Sequence, residues 1–403
     1  MLSTPRSLRL QIGLFGRRNA GKSSLLNALA GQDVSLVSAL PGTTADPVEK
    51  AMELRPLGPV CFIDTAGLDD EGELGGLRTG RTRSVLARVD AALIVTDRGA
   101  WGPWEEELRR ELRAREVPCF IVCNKTDLEP QAAPEWPQGE TVLPVSCATG
   151  TGVTALLEAL GRLPGLLPEP TFLADLVAPG ETAVLVMPID SSAPKGRLIL
   201  PQAMAVRDLL DHGSLSLVTR EHELERALAG LRRPPALVVT DSQAFRQVAS
   251  VVPEAVPMTS FSILLSRFHG DLAAQVRGLR ALDGLRDGDR ILVAEGCTHH
   301  PSHEDIGRVK IPHWLRQYSG ARLGFEHVQG RDFPQDPRGF ALVVHCGNCM
   351  GTRREMLGRI RTCEAAGVPV TNYGLAIACS LGILDRALAP FPAAAEELHA
   401  VPA

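Results

Sequence analysis

Leu8-Arg-Leu-Gln-Ile-Gly-Leu-Phe15 runs without a break into Gly16-Arg-Arg-Asn-Ala-Gly-Lys-Ser23, and that into Ser24-Leu-Leu-Asn-Ala-Leu-Ala30. An apolar strand, a loop bounded by glycines and a stretch of helical spacing make the strand–phosphate loop–helix unit with the GxxxxGKS spacing. Gly16 and Gly21 let the backbone turn so that its amides face phosphate oxygens. Residues Asn19, Ala20, Gly21, Lys22, Ser23 and Ser24 then line a nucleotide. Lys22 is placed for the β- and γ-phosphates and Ser23 for Mg²⁺, and the helix N-terminus adds its positive dipole end. This feature fixes the class of the first domain: a sheet with mainly parallel strands, carrying its site at the strand ends.

Three further motifs follow, each after an apolar run. Asp64-Thr-Ala-Gly67 follows Val60-Cys-Phe-Ile63. Asp64 is expected to hold the metal through water, and the Gly67 amide to face the γ-phosphate. Asn124-Lys125-Thr-Asp127 follows Cys119-Phe-Ile-Val-Cys123. The Asp127 carboxylate can accept from both N1 and the 2-amino group of guanine, a pair of donors that adenine lacks. Ser146-Cys147-Ala148 follows Val142-Leu-Pro-Val145 and is expected to back the guanine ring with amides. Lys22, Thr44, Asp64 and Gly67 are the expected catalytic set.

A chain of 403 residues exceeds one core, and two or three domains are expected. The prolines of Leu163-Pro-Gly-Leu-Leu-Pro-Glu-Pro170 mark the clearest boundary. Beyond it, strand-like and helix-like runs alternate to the end, which indicates parallel sheets with crossover helices. The expected organisation is α/β: a P-loop domain over 1–168, then two further α/β domains over 169–265 and 266–403. The middle segment shows no glycine fingerprint, ligand spacing or nucleophile set. Its few strands leave a sheet edge that a second copy could cover, so a homodimer through this segment is expected.

The net charge of −5 gives no electrostatic footprint for nucleic acid, and no apolar run is long enough for a membrane. Nine cysteines, an odd and unevenly spaced set, argue against a secreted disulfide framework. Met1 to Arg9 has no apolar core of signal-peptide length, so a cytoplasmic setting is expected.

The last segment carries the second constellation. Ile291-Leu-Val-Ala294 leads to Glu295-Gly-Cys297-Thr-His299, and Phe340-Ala-Leu-Val-Val344 to His345-Cys346-Gly-Asn-Cys349. Three thiols and two imidazoles thus hang from strand ends. Thiolates are soft ligands that select iron–sulfur clusters, zinc or copper(I). Three Cys with one His suit structural zinc, whereas three Cys with a weak fourth position suit a 4Fe-4S cluster.

The first domain resembles GTPases of the tRNA-modification and ribosome-assembly branch, and the switch segment Pro41-Gly-Thr-Thr-Ala-Asp46 looks like theirs. On that resemblance Thr44 closes on Mg²⁺ and Thr43 is a weaker match. Leu68 stands where Ras-like enzymes place the water-orienting glutamine, and Asn19 matches the asparagine that helps hold K⁺ in potassium-activated members. With Cys-x-His…His-Cys-x-x-Cys behind these motifs, the whole chain resembles the HydF family, the maturation GTPases of FeFe-hydrogenases. The resemblance implies a 4Fe-4S cluster on Cys297, Cys346 and Cys349, with His299 and His345 as fourth ligand or supporting groups. It also implies a scaffold that accepts a diiron precursor built with two radical-SAM maturases and passes it to apo FeFe-hydrogenase. Two rivals stand beside it. One is an RNA-modification or ribosome-assembly GTPase with structural zinc, the other an electron-transfer module with a fully ligated cluster.

Overall fold

The computed structural model describes residues 4–31, 36–40, 48–54, 57–65, 85–129, 136–163, 171–189, 196–296, 305–330 and 332–399. The chain divides into two compact units, Met1–Pro168 and Glu169–Ala403.

The first unit is built on strands β1 (Leu10–Phe15), β2 (Leu36–Leu40), β3 (Val48–Leu54), β4 (Gly58–Asp64), β5 (Ala91–Asp97), β6 (Cys119–Asn124) and β7 (Val142–Pro144). They form one sheet in the order β2-β3-β4-β1-β5-β6-β7. The β2–β3 and β3–β4 pairs are antiparallel and the rest are parallel. Strands β1 and β5 are apolar on both faces because helices cover both sides of the sheet. Helix α1 (Lys22–Ala30) follows the phosphate loop. Helix α2 (Pro103–Ala114) begins with Pro103, and Glu105 Oε2 accepts from the Gly102 amide at 3.0 Å. Its buried Trp104, Leu108 and Leu112 face the sheet, and such burial contributes about 1.5–3 kcal/mol per large apolar side chain. Helix α3 (Val153–Leu160) closes the unit.

The second unit holds two four-stranded sheets. Strands β8 (Thr182–Val186), β9 (Leu215–Thr219), β10 (Leu237–Thr240) and β11 (Met258–Ser260) pair in the order β11-β10-β8-β9. Strands β12 (Arg290–Glu295), β13 (Gly324–Gln329), β14 (Leu342–His345) and β15 (Val370–Asn372) pair in the order β13-β12-β14-β15. Every pair in both sheets is parallel. The helices are α4 (Leu200–Asp211), α5 (Leu224–Ala229), α6 (Phe245–Val251), α7 (Phe261–His269), α8 (Leu272–Leu279), α9 (Ile311–Ser319), α10 (Arg353–Ala365), α11 (Tyr373–Ser380), α12 (Leu384–Leu388) and α13 (Pro392–His399).

One apolar core runs through both sheets, from Phe172 and Val184 to Ile291, Val344 and Leu375. The sheets are also tied at their carboxyl ends. Helix α7 leaves β11 directly, capped by Ser260 Oγ, which accepts from the Ile263 amide at 3.2 Å. Helix α11 leaves β15 directly, capped by Asn372 Oδ1, which accepts from the Gly374 amide at 2.7 Å. The Ser262 hydroxyl donates to that same Asn372 oxygen at 3.0 Å.

The apolar pattern over Gly374 to Leu388 reads as one helix but folds as α11 and α12. Gly382, at φ 71°, lies between them in the left-handed region that stops a helix. Helix α13 has no counterpart in the sequence pattern described above. Among the described residues no helix is long and apolar enough to cross a membrane.

Candidate functional sites

In the first unit the four motifs converge at the carboxyl ends of β1, β4, β6 and β7. Gly21, at φ 92°, sits directly before α1, and a methyl group there would overlap the Asn124 amide. Asn19 also lies in the left-handed region, at φ 62°. Lys22 is buried, and its ammonium donates to the Gly16 carbonyl and, at 3.1 Å, to that of Arg17. Arg17 is itself held by a two-pronged bond to Glu105 at 2.8 and 3.0 Å. The Ser23 hydroxyl donates to Asp64 Oδ2 at 2.7 Å, so the two expected metal-side oxygens stand together.

Asn124 joins the base end to the phosphate end. Its Nδ2 donates to the Ala20 carbonyl at 2.9 Å, while its Oδ1 accepts from the Cys147 amide at 3.4 Å. Ser146 donates to Asp127 Oδ1 at 2.6 Å, and Lys125 pairs with Asp97 at 3.0 Å. Ser24 and Ala148 are exposed. Burial raises the Cys147 thiol, so the group is a neutral wall of the pocket. Thr43, Thr44, Gly67 and Leu68 lie outside the described residues.

Arg88 carried no signal in the sequence. Its side chain is completely buried, and Nη1 donates to Glu49 Oε1 at 2.7 Å. Glu49 lies at the start of β3, just past the Thr44 segment, and Arg88 stands just past the Gly67 segment. Arg6 Nη2 shares the same Glu49 oxygen at 3.1 Å, so two arginines hold this carboxylate.

In the second unit the expected ligands hang from neighbouring strands. Ala294 of β12 lies opposite His345 of β14, and the Cys346 amide donates to the Ala294 carbonyl at 2.9 Å. Cys346 Sγ accepts from two backbone amides, Gly296 at 3.1 Å and Asn348 at 3.4 Å. Asn348 is in the left-handed region at φ 52°, and its side chain is packed so closely on Gly296 that a methyl group there would overlap it. The glycine of Glu295-Gly296-Cys297 is thus required by the loop that carries Cys346. Cys346 and Cys349 are half-buried and pack against the apolar core, and burial raises the Cys349 thiol.

Glu295 is buried, with its carboxylate held by Tyr373 at 3.2 Å and Gln329 at 3.0 Å. His345 is completely buried. Its Nδ1 lies 2.7 Å from the Cys346 carbonyl and its Nε2 lies 2.7 Å from Arg359 Nη1. Burial and the Arg359 charge hold its pKa down at about 3. Cys297 and His299 lie outside the described residues. Among the described residues no three His, Cys, Asp or Glu side chains converge as a metal-holding group. Asn348, Arg359 and Tyr373 were not singled out in the sequence. Of these only Asn348 had a local signal, its place inside Cys-Gly-Asn-Cys.

Known proteins resemble the two units differently. Residues 11–125 match the 50S ribosome-binding GTPase domain. Among similar curated proteins, the tRNA modification GTPase MnmE of Synechococcus sp. is 38% identical over 163 residues, covering 40% of this chain and 34% of that protein. MnmE of Nitratidesulfovibrio vulgaris is 41% identical over 153 residues, covering 36% and 32%. The chain thus spans about a third of the length of these relatives. Among solved structures, the G domain of the T. maritima FeoB iron transporter aligns with 22% identity over 38% of this chain and 98% of that one, at a TM-score of 0.30. Residues 172–270 match the hydrogen maturase F dimerization domain and residues 273–390 its tetramerization domain. Those two domains are the mark of a homo-oligomer, and behind a P-loop GTPase domain they place this chain in the hydrogen maturase F (HydF) family.

Proposed function

We propose that the chain is a GTP-hydrolysing scaffold that holds a 4Fe-4S cluster, accepts a diiron precursor as cargo and hands it to apo FeFe-hydrogenase. The observation that carries this reading is the Cys346 sulfur, which receives two backbone amides at the end of β14 beside the end of β12. Amide donors aimed at sulfur suit a thiolate bound to iron, since they spread the charge of the sulfur–metal unit. Cys297, Cys346 and Cys349 would hold the cluster. When bound, a cluster on three thiolates supplies one iron corner open to a bridging ligand of the cargo. A structural-zinc protein of RNA modification has no comparable support, because the net charge of −5 gives no basic footprint and the chain carries the two hydrogen maturase domains.

In the nucleotide site Asp127 accepts from the guanine edge, and Ser146, Cys147 and Ala148 wall the base. The backbone of Asn19–Ser24 cradles the phosphates. Lys22, now on loop carbonyls, turns to the β- and γ-phosphates. Ser23 and Thr44 ligate Mg²⁺, with Asp64 behind, and the Gly67 amide meets the γ-phosphate. Asn19 helps hold K⁺, so hydrolysis runs faster in K⁺ than in Na⁺ at matched ionic strength. Equal rates would remove that role. Bound GTP orders the segments around Thr44 and Gly67, and hydrolysis releases them, which changes contacts with the two radical-SAM maturases.

We divide the chain functionally into 1–168 for the nucleotide, 169–265 for dimerisation and 266–403 for the cluster, in a cytoplasmic protein. Strand β9 lies at the edge of its sheet with Leu215 and Val218 exposed, and a second copy pairing there would cover both. A monomer by light scattering would remove the dimer. The test of the whole reading is transfer. Cluster-loaded protein, matured with both radical-SAM partners and repurified, should activate purified apo-hydrogenase, and Cys346→Ala prepared alongside should not. Activation by both, or by neither, would overturn the carrier role.

A further inference from the structure

His345 neighbours a proposed ligand in sequence, yet neither of its ring nitrogens is free. A guanidinium has only donors. The 2.7 Å contact from Arg359 Nη1 therefore makes Nε2 the acceptor. The proton must then sit on Nδ1, where it is donated to the Cys346 carbonyl at 2.7 Å. The lone pair that a metal would need is taken up by Arg359. Arg359 is fixed in turn. Its Nη2 donates to the Gly330 carbonyl, just past β13, and its guanidinium lies 5.1 Å from the Phe333 ring centroid. The Phe333 and His345 rings are 6.2 Å apart and tilted by 38°. One imidazole ring thus separates the Arg359 guanidinium from the Cys346 backbone, which puts its positive charge on the Cys346 side of the sheet end.

We propose that Arg359 is a positioning residue: it locks the His345 imidazole as a donor to the Cys346 backbone, keeps it from the metal, and sets a positive charge beside the Cys346 sulfur. This rests on the cluster reading above and extends it. Two consequences separate it from a merely structural arginine. His345 is a prop beneath the loop and no ligand, so the fourth corner stays open to cargo as far as this residue is concerned. The charge also favours the reduced cluster, which carries one more electron.

The test uses the full chain as parent, Arg359→Met, Arg359→Lys and His345→Gln. Histidine ¹⁵N–¹H correlation spectra of the iron-free protein should show His345 as the Nδ1–H tautomer throughout, with Nε2 at the shift of a hydrogen-bonded acceptor in the parent and in Arg359→Lys and of a free acceptor in Arg359→Met. After anaerobic loading with iron and sulfide, the cluster midpoint potential should fall in Arg359→Met and stay near the parental value in Arg359→Lys. Pulsed electron paramagnetic resonance on ¹⁵N-histidine protein should give the same nitrogen couplings in parent and His345→Gln. An unchanged Nε2 resonance in Arg359→Met, an unchanged potential, or loss of a metal-coupled nitrogen in His345→Gln would each overturn the proposal while leaving the cluster reading intact. A parent that takes no iron would overturn the cluster reading and the charge role. The Nε2 resonance would still decide whether Arg359 holds the imidazole.

Discussion

The phosphate loop hangs from the end of β1 and the Cys346 loop from the end of β14, each inside a sheet whose neighbouring strands supply the other half of the site. Around the phosphate loop much of the work falls to contiguous residues: Lys22 closes the loop on Gly16 and Arg17, while Asn124 ties it to the base end. Around Cys346 the loop is as short, but its supports come from elsewhere: the Gly296 amide, just past β12, on the sulfur and Arg359 of α10 on the neighbouring His345. A site for a mobile nucleotide needs a loop that can adjust. A site for a fixed metal centre needs donors aimed in advance from several elements. The two units should therefore fail separately and in different ways.

The largest separation is expected from Lys22→Ala. Loss of the cation on the phosphates should slow GTP hydrolysis at least about a hundredfold, while iron content after loading stays at the parental level. Parallel loss of iron would mean that the two sites are not independent. Next comes Arg88→Met. Arg6 still holds Glu49 at 3.1 Å after the substitution, so the loss should stay below the about 3–5 kcal/mol of a fully broken buried pair. Thermal unfolding should show residues 1–168 melting earlier with the second unit unchanged.

Acid should act on the other unit. All ten histidines lie beyond residue 168. Buried His269, whose ring nitrogens have no hydrogen-bond partner, faces Arg353 and is held neutral down to about pH 4, against an ordinary value of 6.5. Between those values the unfolded chain binds a proton that the folded one refuses, so stability falls as pH drops from 6.5 to 4. The loss reaches about 3 kcal/mol and then levels off. His269→Leu should make that slope shallower in urea unfolding monitored at pH 7 and pH 4.5, leaving the share of His345, which is held down to about 3, and an unchanged slope would remove the His269 share. The smallest effect belongs to Asn124→Ala. Loss of the bond to Ala20 should weaken GDP binding about tenfold, near 1.4 kcal/mol, as read by titration calorimetry.

What could be read in the sequence follows the same division. Strand, loop and motif are adjacent in the chain at Leu8–Ala30, so the phosphate loop and its helix were legible, as was the position of Cys346 at a strand end. Arg359 was not, because its meeting with His345 depends on how α10 packs over β14. Arg88 was hidden for the opposite reason: an arginine reads as surface until its carboxylate partner is located across the sheet. The continuous core of residues 169–403 was hidden as well. Each small sheet has its own alternation of elements, and only packing reveals that Phe172, Val344 and Leu375 share one interior.

Iron uptake decides most directly. Oxygen-free loading with iron and sulfide should give the parent one 4Fe-4S cluster per chain by electron paramagnetic resonance and metal analysis. Cys297→Ala, Cys346→Ala and Cys349→Ala should each lose most of it while hydrolysing GTP at the parental rate. A parent that binds zinc and no iron, or cysteine variants that keep the full cluster signal, would contradict the scaffold role.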